Sequence, residues 1–309
     1  MNIVFMGTPD FAAGVLKAIL KAGYTVTGAV TQPDKRQGRK MEITPCAVKQ
    51  CAVSAGIRVF QPEKLKTPGA ADEIRKMQPD VIVVAAFGQI VPEEILNIPR
   101  LGCINVHASL LPSYRGAAPI QHVILDGLEE TGVTIMRMNK GLDTGDIVAQ
   151  AKIAVSADET GGSLFEKLSS LGSRLLAETL PEIENGTAVY TPQPKESPTP
   201  YARMISKEMG KIDWHEDAAS IERKIRAFSP WPSAFTSLDG HTLKIWKGHV
   251  EKPELTGEAG KIVRQDARGI YIETGKGILF PEIVQLEGKK KMPVTEFLRG
   301  YVIRNNVLG

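Results

Sequence analysis

Val81-Ile82-Val83-Val84-Ala85-Ala86 is a short run that stays apolar at every position. A strand with one wet face alternates, because successive side chains leave opposite sides of the pleat. One that is apolar throughout is covered on both sides, as in a parallel sheet flanked by helices. Ile3–Met6, Thr25–Thr31 and Cys103–His107 read as further strands. Phe11–Ala22, after the turn Gly7-Thr8-Pro9-Asp10, and a segment from about Ala70 to Met77 carry helical periodicity. Strand and helix in alternation predict an α/β fold with a mostly parallel sheet. Ligands of such sheets bind beyond the carboxyl ends of the strands.

One of those ends is chemically loaded. Asn105-Val106-His107-Ala108-Ser109-Leu110-Leu111-Pro112 is answered downstream by Gly141-Leu142-Asp143-Thr144-Gly145-Asp146. Asn105 and His107 are two residues apart, so an extended chain sends both side chains to the same face. If Asp143 is brought back beside them, its carboxylate would orient the imidazole and favour the charged ring. An amide, an imidazole and a carboxylate suit a reaction that forms a tetrahedral oxyanion and moves a proton, with no metal and no covalent nucleophile. Duller readings stay open at this point. His107 can be an ordinary hydrogen-bonded histidine, Asn105 a turn cap, and Asp143 or Asp146 an Asx-turn residue. His122, His215, His241 and His249 fall in no catalytic pattern.

Composition narrows the class. With 309 residues, the chain is long enough for two domains, and 42% hydrophobic with 24% charged residues is ordinary for a globular enzyme. A net charge of +3 sets up no global field for nucleic acid, so any such binding must use local clusters. Lys35-Arg36-Gln37-Gly38-Arg39-Lys40 and Lys289-Lys290-Lys291 are the candidates; the density of the first favours phosphate contact over a solvated turn, and the second is equally at home as a hairpin tip. Three cysteines, Cys46, Cys51 and Cys103, suit neither a disulfide framework nor a zinc site, and Cys103 reads as a buried inert thiol. The sequence shows no secretory leader pattern and no 18-residue apolar stretch, which predicts a cytoplasmic protein. Gly7 to Gly14 lacks G-x-G-x-x-G, which disfavours a dinucleotide-dependent dehydrogenase.

Near Val189 the composition changes. Thr191 to Pro200 holds four prolines, which predicts a stiff, extended connector. Beyond it, Ala218–Phe228 reads as a helix, and Ala234–Leu238, Thr242–Val250, Lys261–Val263, Gly269–Glu273 and Ile278–Gln285 as short strands. Five such strands predict a small antiparallel barrel, OB-like in type. Trp231, between two prolines, is expected to pack rather than to stack on a base. The resulting division is a catalytic domain over 1–189, a Pro-rich linker over 190–207 and a barrel domain over 208–309.

Several stretches, in order and spacing, are similar to the 10-formyltetrahydrofolate-dependent formyltransferases. They are Phe5-Met6-Gly7-Thr8-Pro9-Asp10-Phe11, Thr31-Gln32-Pro33-Asp34-Lys35, the Asn105 segment running on through Tyr114-Arg115-Gly116-Ala117-Ala118-Pro119-Ile120-Gln121, Thr131-Gly132-Val133-Thr134-Ile135-Met136 with Gly141–Asp146, and Arg226-Ala227-Phe228-Ser229-Pro230-Trp231-Pro232. The resemblance spans nearly the whole chain. It implies a Rossmann-like formyltransferase domain followed by an OB-like barrel that helps hold tRNA. Asn105, His107 and Asp143 would be the catalytic set. Phe87, Gly88, Ile90, Ser109, Leu110, Leu111 and Pro112 would line the folate site, and Lys35, Arg36, Arg39 and Lys40 would reach the tRNA acceptor stem. The implied co-substrate is 10-formyltetrahydrofolate, without a metal. The implied acceptor is the α-amine of methionyl initiator tRNA, on a monomeric enzyme. An amino-sugar nucleotide is the rival acceptor, a purine-pathway formyltransferase is disfavoured by the extra barrel, and a noncatalytic RNA-binding module is the rival of another class.

Overall fold

The computed structural model describes residues 1–37, 42–251 and 257–309. In chain order its elements are β1 (Asn2–Gly7), α1 (Asp10–Lys21), β2 (Thr25–Val30), β3 (Lys35–Gln37), β4 (Glu42–Thr44), α2 (Ala47–Ser54), β5 (Val59–Phe60), α3 (Ala70–Arg75), β6 (Val81–Ala85), α4 (Glu93–Leu96), β7 (Cys103–His107), α5 (Pro119–Leu125), β8 (Glu130–Arg137), β9 (Ile147–Ala154) and α6 (Gly161–Asn185), followed by α7 (Ala218–Ala227), β10 (Ala234–Leu238), β11 (His241–Glu251), β12 (Ile262–Asp266), β13 (Gly269–Glu273), β14 (Ile278–Leu286), β15 (Met292–Pro293) and α8 (Val294–Gly300).

The first compact unit comprises Met1–Pro119, Glu130–Ala154 and Phe165–Arg203. Its seven-stranded sheet runs β5-β2-β1-β6-β7-β8-β9. The five strands from β5 to β7 are parallel, with Phe5 beside Val83 and Val84 beside Asn105. Every residue of β6 and β7 is buried, as strands covered on both faces require. Val4, Met6, Ile74, Ile82, Val84 and Cys103 share one core on this sheet. The parallel α/β reading of this region is borne out. The two last strands are a departure from it: β8 pairs antiparallel with β7, and β9 with β8. From Ala149 on, β9 alternates between half-buried and exposed positions, as an edge strand with one solvated face does.

The Pro-rich segment is not a free connector. Residues up to Arg203 cluster with the first unit, and the Tyr114 amide donates to Thr199 Oγ1 at 2.7 Å. Ser197 Oγ donates to the Pro112 carbonyl at 2.8 Å.

The second unit comprises Ile120–Glu129, Val155–Leu164 and Met204–Gly309. Its antiparallel sheet runs β10-β11-β14-β13-β12, with β15 on β14. The five strands read from the sequence are all present within a few residues; β15 and α8 were not foreseen. Residues 306–309 join the two outer strands: the Ile262 amide donates to Asn306 O at 2.6 Å, and Ser237 and Gly309 exchange backbone bonds at 3.2 and 3.3 Å. Closing an edge this way removes unpaired backbone groups from solvent, the defining gain of a barrel. Asp217 caps α7, accepting from the Ser220 amide at 2.7 Å, and Ile221 and Ile225 of that helix pack with Leu243, Ile245, Ile270 and Val284. Lys289–Lys291 lies at the β14–β15 turn, where Lys291 Nζ sits 3.1 Å from the centroid of Trp246. Trp231, expected to pack, is 58% exposed. Among the described residues no helix is long and apolar enough to cross a membrane.

Candidate active site

Gly7 of β1 lies beside Ala85 of β6, and Val84 of β6 beside Asn105 of β7, so the turns after all three strands gather at one edge of the sheet. Asn105 and His107 are 9% and 6% exposed there. Among the described residues the Asn105 side-chain amide has no hydrogen-bond partner, so its donors stay available to a ligand.

His107 is held by one ring nitrogen. Its Nε2 lies 3.1 Å from the Tyr114 carbonyl, which can only accept, so Nε2 carries the hydrogen. Nδ1 is then the nitrogen that gains or loses a proton, and it faces Asp143 Oδ1 at 3.8 Å. That separation exceeds a hydrogen bond but falls within ion-pair range. The sequence-predicted trio is thus brought together by one strand, β7, and one loop of the first unit.

The Asp143 loop is built for its shape. The Arg137 amide donates to Asp146 O at 2.8 Å and closes its base. Asn139 Oδ1 accepts from the Gly141 amide and Thr144 Oγ1, both at 2.9 Å. Asp143 adopts a left-handed backbone (φ 53°), which Asp tolerates better than most residues. A Cβ on Gly145 would stand 1.7 Å from the Arg137 carbonyl oxygen, so only glycine fits that position. Asp143 Oδ2 accepts from the Gly116 amide at 2.9 Å, fixing the carboxylate that faces His107. The Asp143 charge also reaches the Tyr201 phenol, whose pKa is raised first by burial and then by that carboxylate.

The predicted folate residues fall in two groups. Phe87 is buried in the core, and its carbonyl accepts from Gln32 Nε2 at 3.0 Å and Thr8 Oγ1 at 3.2 Å. Gly88 (φ +80°) packs against that Gln32 amide, and with the 63% exposed Ile90 it lines a cavity of about 510 Å³. In the second group Ser109 Oγ donates to the Ser113 carbonyl at 2.7 Å, and the Leu111 amide donates to Thr134 Oγ1 at 3.0 Å. Leu110 and Pro112 are half-buried. Gln150 Nε2 ties Leu111 O to Thr134 Oγ1, both at 2.9 Å.

Of the predicted tRNA residues, Lys35 begins β3 and its Nζ donates to Gln32 Oε1 at 2.8 Å. Arg39 and Lys40 lie outside the described residues, as does the side chain of Arg36. Among the described residues no cluster of ligands could hold a metal ion. The sequence reading assigned no role to Tyr114, Arg115, Thr134, Gln150, Gln193 or Thr199, which secure the site through bonds spanning up to 85 residues. Only Arg115 carried a signal, as a charged residue inside the Asn105 motif.

Residues 1–180 match the family Formyl transferase and residues 204–302 match Formyl transferase, C-terminal domain. The chain is 53% identical over 302 residues to the methionyl-tRNA formyltransferase of Agathobacter rectalis, covering 97% of this chain and 96% of that one. It is 49% identical to the methionyl-tRNA formyltransferase of Lachnospira eligens, covering 100% and 99%. An N-formyltransferase from Helicobacter canadensis, solved in complex with folinic acid and dTDP-3-aminofucose, has a similar fold: TM-score 0.66 at 21% identity, over 94% of this chain and 99% of that one. With family matches on both parts and half its residues shared with full-length relatives, the chain belongs to the formyl transferase family.

Proposed function

We propose that the chain transfers a formyl group from 10-formyltetrahydrofolate to the α-amino group of methionyl initiator tRNA, as a monomer in the cytoplasm. The observation that carries the chemistry is the buried imidazole with one nitrogen anchored on a carbonyl and the other facing a carboxylate. The acceptor follows from relatives named methionyl-tRNA formyltransferase that are 43% to 53% identical over nearly the full chain. The sugar-nucleotide neighbour shares only 21%.

The folate derivative supplies the formyl carbon. As the α-amine attacks that carbon, Asn105 donates to the oxygen that gains charge, a contact of a kind worth roughly 3 kcal/mol. His107 takes the proton of the attacking amine on Nδ1, and Asp143 stabilises the imidazolium so formed. The same proton then goes to N10 as the carbon–N10 bond breaks, leaving an amide on the acceptor and a neutral ring on His107. Gly88 and Ile90, with Phe87 behind them, and the Ser109–Pro112 turn hold the folate. Lys35, Arg36, Arg39 and Lys40 contact acceptor-stem phosphates, which makes binding salt-dependent.

The deciding experiment offers the purified protein 10-formyltetrahydrofolate with methionyl initiator tRNA, free methionine or an amino-sugar nucleotide. Selective formylation of the charged tRNA is expected. Turnover with the sugar nucleotide alone would keep the catalytic set and overturn the acceptor. No turnover with any acceptor would favour a noncatalytic RNA-binding module.

A further inference from the structure

We propose that Gln193 is a positioning residue that sets the Asp143 carboxylate against His107. The inference rests on the reading of that pair as catalytic. Gln193 comes from the Pro-rich segment, 50 residues beyond Asp143, yet its side chain sits between the two loops that frame the site. Its Nε2 donates to the Asp143 carbonyl at 3.0 Å and to the Gly145 carbonyl at 2.7 Å. Its Oε1 accepts from Arg115 Nε at 3.2 Å and Nη2 at 3.0 Å. A carboxamide has two donor hydrogens and two acceptor lone pairs, and all four are engaged.

Each bond acts on the pair. The two carbonyls held by Nε2 flank the left-handed turn at Asp143, a conformation that costs energy in a non-glycine residue and needs outside support to persist. Arg115, 8% exposed, continues through Nη1 to Lys195 O at 3.0 Å and through Nη2 to Pro194 O at 2.7 Å. It thereby locks the chain directly between Tyr114, whose carbonyl holds His107, and Gly116, whose amide holds Asp143. Gln193 therefore bonds to both the histidine's loop and the aspartate's loop. Oxygen could replace its acceptor half, but an acceptor-only group does not fit opposite two carbonyls.

That asymmetry supplies a discriminating variant. Gln193→Glu keeps a strong tie to Arg115, now charge-assisted, and sets an acceptor-only group against the Asp143 and Gly145 carbonyls. The fold should persist while the 143–145 turn relaxes. Misplacement on the scale of an ångström costs up to ~10²-fold in rate, so kcat should fall about 10- to 100-fold, with KM for folate and tRNA within about twofold. The second readout is the NMR spectrum of the His107 ring at fixed pH in the full-length protein. The ring resonances should move in Gln193→Glu and also in the uncharged Gln193→Met, since Asp143 shifts in both; Tyr201 also feels this carboxylate. Asp143→Asn is the reference. If it is inactive while both Gln193 variants keep wild-type kcat and unchanged His107 resonances, the positioning role is overturned and the catalytic pair stands. A kcat loss that only parallels a lowered Tm, without a change in the His107 resonances, would also overturn it. Wild-type turnover in Asp143→Asn would remove the pair itself, and the proposal with it.

Discussion

β6 and β7 of the first unit and β10 and β11 of the second meet water differently. The first two are buried at every residue, whereas β10 alternates buried with half-buried positions, and β11 is partly or fully exposed at every residue but Leu243 and Ile245. A strand covered on both faces has little side-chain surface to offer a ligand, so its chemistry collects toward its end: Asn105 and His107 are the third and the last residues of β7. A strand with one solvated face can present side chains along its length, as β11 does with Lys244, Trp246 and Lys247. The parallel sheet thus concentrates reactive groups at a point, and the barrel spreads polar groups over an area.

If that contrast holds, damage at the end of β7 should be catalytic and damage inside the barrel should be structural. The largest effect is expected for His107→Ala and Asp143→Asn. Steady-state kinetics should show kcat lower by about 10²–10⁴-fold, the scale of acid–base catalysis. Folate binding, measured by direct titration, should largely survive, because neither residue lines the Gly88–Ile90 cavity. Equal losses of folate affinity and turnover would mean that these are binding or structural residues.

Inside the barrel, Ile245 is fully buried with Leu243, Ile270 and Val284. Ile245→Ala should cost about 2–5 kcal/mol by denaturant unfolding, through lost burial and the cavity left behind. At a temperature where the variant stays folded, its kcat with saturating methionyl initiator tRNA should match the wild type within about twofold, and any defect should appear in KM for tRNA. A kcat collapse without unfolding would erase the distinction between the two regions.

The same contrast explains what could be read beforehand. β7 and the Asn105–His107 spacing are local, so short-range pattern was enough to place them. Asp143 was recognisable as a carboxylate in a glycine-punctuated loop, and its left-handed backbone fits that context. β8 and β9 were not read as strands, although Ala149-Gln150-Ala151-Lys152-Ile153 of β9 alternates; what no local pattern carries is the antiparallel pairing, such as His107 with Thr134. α6 was missed although Leu164, Leu168, Leu171, Leu176, Leu180 and Ile183 recur at three to five residues and are buried; Pro181 near its end obscured the pattern. Gln193 was beyond reach for the same reason as β8. A glutamine in a proline-rich run has the signature of a linker until tertiary structure brings it 2.7 Å from Gly145 O.

The smallest expected effect sits within β7 itself, four residues before its reactive end. Cys103 is 1% exposed, its Sγ is 3.8 Å from the Leu96 carbonyl, and burial pushes its thiol up to about 12. In the unfolded chain a cysteine ionises near 8.5. Between those values the unfolded state has released a proton that the folded state retains, so stability must fall as pH rises above about 8.5. At pH 9.5 this site should contribute a loss of about 1.4 kcal/mol relative to neutral pH. Cys103→Ala removes that dependence while Cys46 and Cys51 remain, so the difference between the two unfolding curves, measured from pH 7 to 9.5, isolates it. Parallel curves would mean that the thiolate is tolerated inside β7. In that case burial on both faces is not what confines charge to the end of the strand, and some other property of the His107 turn must do so.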